Sequence, residues 1–80
     1  MKTVRIKHGS VAATFSINEL ELFGYCGAGK PSNAMVRALA KCAFSEISEY
    51  PCRFSAQVFL TETSLLLFAE ASPEIFAISN

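Results

Sequence analysis

Eighty residues make one domain around one core, because a chain of this size takes only about 60 to 65% of its unfolded surface out of water. Of these residues 51% are apolar and only 18% are charged, so part of the apolar set must face outward or meet a partner, yet its longest run, residues 65–69, is far too short to cross a bilayer. Net charge is zero but uneven: residues 1–41 carry six basic against two acidic side chains and residues 42–80 one against five, a split of +4 and −4 that can draw the two halves together or favour association of two copies.

The N-terminus alternates charged and apolar residues and carries no secretory signal pattern, so a cytoplasmic setting is expected. Residues 3–7 and 11–17 read as two strands joined through His8, Gly9 and Ser10, forming a hairpin. Alternation assigns Val4 and Ile6 to its buried face with Val11, Ala13, Phe15 and Ile17, and turns Arg5 and Lys7 outward. Ser16 and Glu19 have the spacing of a capping box, which predicts a one- or two-turn helix ending at Gly24. The glycine-rich stretch 24–30 is a loop.

The main helix is expected over about 32–50, opening at Pro31, Ser32 and Asn33 and stopping before Pro51. At 100° per residue, Met35, Val36, Leu39, Ala40, Ala43, Ile47 and Tyr50 share one apolar arc that also contains Glu46. Phe44 falls beside the polar stripe and is expected to be partly exposed. Residues 53–62 alternate, with Phe54, Ala56, Val58 and Leu60 inward and Arg53, Gln57 and Phe59 outward. A turn at Thr63 and Ser64 leads into residues 65–71, whose apolar density marks a central strand. Ser72, Pro73 and Glu74 then open a short helix, or residues 74–78 form a last strand.

The expected fold is therefore α+β: a four-stranded, mostly antiparallel sheet from two hairpins, with one main helix packed on one face and the whole chain, 1–80, in a single domain. The element order is similar to that of ubiquitin-like β-grasp domains, a topological likeness that implies no function.

Chemistry is sparsely equipped. The chain has no aspartate and one histidine, and Cys26, Cys42 and Cys52 are too few and too widely spaced for a disulfide framework or a metal pair. Neither catalysis nor a cofactor is expected, and a reducing compartment fits three free thiols. Residues 24–30 match G-x-x-x-x-G-K, and a helix start follows, which favours anions. Pro31 stands where that pattern needs a hydroxyl, so the alternative left for Gly27, Gly29, Lys30, Ser32 and Asn33 is generic phosphate or anion binding. Cys26 lies in the same loop near Lys30, two influences that favour a thiolate. Glu46, inside the apolar arc, is read as a structural partner for Lys41 or Arg53.

Arg5, Lys7 and Arg53 are too few for a nucleic-acid surface. Phe59, Arg53 and Gln57 on the outer sheet face, with Arg5 and the half-exposed Phe44, suit a protein contact instead. The expected function is a non-enzymatic interaction module, a homodimer, assembly subunit or small inhibitor, working through the outer sheet face and an edge strand.

Overall fold

The computed structural model describes residues 1–25 and 29–72 of the chain. The proposed terminal element at 74–78 and the loop residues Cys26, Gly27 and Ala28 lie outside them. Four strands and two helices follow one another in the order β1 (Lys2–Lys7), β2 (Ser10–Ser16), α1 (Ile17–Leu22), α2 (Asn33–Glu46), β3 (Phe54–Leu60) and β4 (Ser64–Ala71). The strands form one sheet in the order β1-β2-β4-β3, every pairing antiparallel. This is the α+β architecture expected from the sequence. β4, the strand densest in apolar residues, runs through the middle between β2 and β3.

One face of the sheet carries the core. Val11, Ala13 and Phe15 of β2 and Leu65, Leu67 and Ala69 of β4 are buried against Leu20 of α1 and Met35, Leu39, Ala40, Ala43 and Phe44 of α2. Alternation on the strands and the 3.6-residue period on α2 generate these sets directly. α1 begins as its capping box predicts: the Glu19 N–H donates to Ser16 Oγ at 3.2 Å and the Ser16 N–H donates to Glu19 Oε1 at 2.9 Å.

Three expectations are corrected. First, α2 stops at Glu46, well short of Pro51. The Ser48 N–H donates to the Ser45 carbonyl and the Glu49 N–H to the Phe44 carbonyl, both at 3.0 Å, with Ser48 at φ +58°. These are the two reverse bonds of a Schellman motif, in which a left-handed residue closes the helix end. Tyr50, placed on the apolar arc by a longer helix, is consequently exposed. Glu46, in the last turn, reaches solvent instead of lying in the arc and pairs with neither Lys41 nor Arg53.

Second, Phe44 is buried, with 1% of its surface accessible, and its ring sits 5.5 Å from that of Phe54. The sheet is wide enough for β3 to extend under the flank of α2, so the buried arc of the helix is broader than periodicity alone implies. The guanidinium of Arg37 closes this flank, 5.3 Å from the centre of the Phe54 ring.

Third, β1 is turned over. Lys7 pairs with Ser10, which would set Val4 opposite Ala13, but the register slips at Ile6 so that Arg5 faces Val11, Thr3 faces Ala13 and Val4 faces Ala12. A one-residue bulge exchanges the faces of everything beyond it. Val4 thus leaves the core side, and Thr3 and Arg5 take its place there.

A candidate protein interface on the open sheet face

No described element covers the second face of the sheet. The ladder registers align its side chains in rows: Val4, Ala12, Phe68 and Gln57 form one, and Lys2, Thr14, Leu66 and Phe59 the next. The inverted β1 adds Val4 and Ile6 to this face, 55% and 58% exposed, beside Phe59 at 53% and Phe68 at 44%. Phe59 and Phe68 meet edge to face, with ring centres 6.1 Å apart. Ile6, Ser10, Ser55, Gln57, Phe68 and Glu70 border a shallow trough between the two ends of the patch. A single exposed leucine on a soluble protein means little, but a contiguous aromatic and aliphatic patch with a polar border marks a contact surface.

Of the residues expected at an interface, Phe59 and Gln57 lie on this face and Arg53 precedes β3 at its border, exposed. Phe44 does not belong to it, being in the core. Arg5 does not either, because the bulge sends it to the opposite side, where its Nε lies 3.3 Å from Glu49 Oε2. Val4, Ile6 and Phe68 were missed. Only the slip at Ile6 gives the first two away, and a bulge leaves no signature in so short an alternating pattern. Phe68 sits in a run apolar enough to suggest burial on both faces, and only the absence of a second layer exposes it.

Glu49 is a further residue that periodicity did not single out. The left-handed turn at Ser48 projects its side chain, 12% exposed, over the β1–β2 turn. There its Oε1 accepts the Gly9 N–H at 2.8 Å, and its Oε2 lies 3.5 Å from His8 Nδ1. Gly9 needs φ +84° in this turn, and its carbonyl accepts the Ala71 N–H at 2.6 Å. Lys7 reaches Glu70 at 3.6 Å. The basic N-terminal half and the acidic C-terminal half thus meet within one chain, at one end of the sheet.

Around the glycine loop, Ser32 caps α2, its Oγ accepting the Met35 N–H at 3.2 Å, and Asn33 opens the helix on its exposed side. Lys30 and Gly29 are exposed, the Gly29 carbonyl accepting the Tyr25 hydroxyl at 2.8 Å. Gly27 and Cys26 lie outside the described residues. No helix among the described residues is long and apolar enough to cross a membrane. The chain matches no protein-family model, no curated protein and no solved structure.

Proposed function

We propose that this chain is a non-enzymatic protein-interaction module whose open sheet face docks a partner protein in a reducing, cytoplasmic setting. The observation that carries the reading is the exposed patch of Val4, Phe59 and Phe68, in adjacent rows of an antiparallel sheet, with Ile6 of the bulge beside them. Aromatic side chains in such a patch combine large area with little conformational freedom to lose, the combination that dominates binding energy at interface centres. Arg53, Gln57, Lys2 and Glu70 border it with groups able to complete a polar rim.

The partner surface suited to this face is itself apolar at its centre, presenting aliphatic or aromatic side chains to the two phenylalanines. The test is affinity capture from lysate of the native host with the wild-type chain, and with the double variants Val4→Glu, Ile6→Glu and Phe59→Glu, Phe68→Glu, each checked for folding by circular dichroism. A partner held stoichiometrically by the wild type and lost by both folded variants supports the reading. Identical capture by all three chains overturns it.

A further inference from the structure

The two edges of the sheet are built differently. β1 carries Lys2, Arg5 and Lys7 within six residues and a bulge at Ile6, devices that discourage another strand from pairing. β3 has neither: its seven residues, Phe-Ser-Ala-Gln-Val-Phe-Leu, contain no charge, no proline and no glycine, and its ladder to β4 runs without a slip. Among the described residues no further strand pairs with it.

The outward groups of β3 follow from its ladder. The Thr61 N–H donates to the Ser64 carbonyl and the Ser72 N–H to the Arg53 carbonyl, so the odd-numbered residues between form the hydrogen-bonded pairs with β4. The N–H and C=O groups of Phe54, Ala56, Val58 and Leu60 therefore point away from the sheet. We infer that this edge pairs with the same strand of a second copy, antiparallel about a two-fold axis through Gln57.

That register sets Phe54 opposite Leu60 and Ala56 opposite Val58, so all four outward residues of each copy are hydrogen-bonded. A shift by two residues in either direction leaves one of them unpaired. It also keeps the faces in phase, since even residues meet even residues: both α2 helices lie on one side of a continuous eight-stranded sheet, and the open faces join on the other. Phe59 then stands beside Ser55 of the second copy. Arg53 comes opposite Thr61 of the second copy, one residue from its Glu62, and across the axis the same contact repeats. Neither Arg53 nor Glu62 has an ion-pair partner among the described residues. The inference concerns the edge of β3 and stands apart from what docks on the open face.

Single cysteines test the register, in a background with Cys26 and Cys52 changed to Ser and the partly buried Cys42 to Ala. At the axis, the α-carbons of two Gln57→Cys chains come about 4.5 Å apart in a non-hydrogen-bonded pair, inside the range a disulfide spans. Gln57→Cys alone is expected to give a covalent dimer under mild oxidation. Ser55→Cys alone and Phe59→Cys alone are not, being displaced by four residues, about 13 Å along the strand, whereas a mixture of the two is expected to cross-link. Light scattering at about 100 μM should report a dimer for the wild type and a monomer for Gln57→Lys, which opposes two charges at the axis. The double variant Val4→Glu, Ile6→Glu, at the far edge of the sheet, should keep the Gln57→Cys cross-link even if capture of a partner on the open face is lost. A wild type that is monomeric at this concentration, or cross-linking that is equal at positions 55, 57 and 59, overturns the inference.

Discussion

Ser48 holds a backbone conformation that costs a residue with a Cβ about 1 kcal/mol, and it does so to close α2 and aim Glu49 at the hairpin turn. Glycine reaches the same φ without that cost, but gives back about half of it or more through the extra freedom of the unfolded chain, so Ser48→Gly is expected to raise stability by no more than about 0.5 kcal/mol in urea denaturation. Glu19 makes a second residue-scale case. The N-terminal ammonium, hydrogen-bonded to its carboxylate, and then the backbone N–H of Ser16 hold its pKa below the ordinary value of 4.5. A lowered carboxylate contributes stability above its unfolded pKa and loses it as pH falls through the folded one. The stability difference between the wild type and Glu19→Gln should therefore shrink on acidification below 4.5. A difference unchanged between pH 6 and pH 3 would show that the charge is not what matters. The capping box was plain in the sequence because it is written in four consecutive residues. The role of Glu49 was not, because its partners lie 40 residues away.

At the scale of elements, the strands and α2 were legible wherever a periodic pattern met a continuous layer. Phe54, Ala56 and Val58 alternate and pack inward as their spacing dictates, and Met35, Leu39 and Ala43 repeat at helical intervals. The pattern misled for β1 and for Phe44. A period of two is blind to a one-residue bulge, and the width of a helix's buried arc depends on how far the sheet extends beneath it. These two errors give opposite expectations for two phenylalanines. Phe44→Ala should cost about 3 to 5 kcal/mol, enough to leave a domain of this size close to unfolding at 25 °C. Phe68→Ala, truncating a ring left 44% exposed, should cost about 1 kcal/mol. Thermal melts of the two variants would check the contrast, and comparable losses would mean that the open face is covered.

For the whole molecule, part of the apolar excess expected from composition gathers, among the described residues, on the sheet face that neither α1 nor α2 reaches, as Val4, Ile6, Phe59 and Phe68, while Leu22 and Tyr50 are exposed singly elsewhere. Replacing Val4 and Ile6 together by Thr should leave stability within about 0.5 kcal/mol, since both side chains are more than half exposed and Thr suits a strand. The same change should weaken binding of a hydrophobic dye such as ANS. Dye binding equal to that of the wild type would place the sticky surface elsewhere. The charge split is resolved within the chain, at least in part, because Arg5 and Lys7 of the N-terminal half reach Glu49 and Glu70 of the other.

The sequence by itself determined the α+β class, the two hairpins, the cap of α1, the central place of β4 and the outward turn of Phe59. Each follows from a local period or from a few adjacent residues, which act before distant parts of the chain meet. Only the tertiary structure decided which way β1 faces, that Phe44 is core, that Glu49 ties α2 to the first turn, and that β3 is the unguarded edge. These depend on register, layer width and strand order, which are set when residues tens of positions apart come into contact and leave no mark in any single window of sequence.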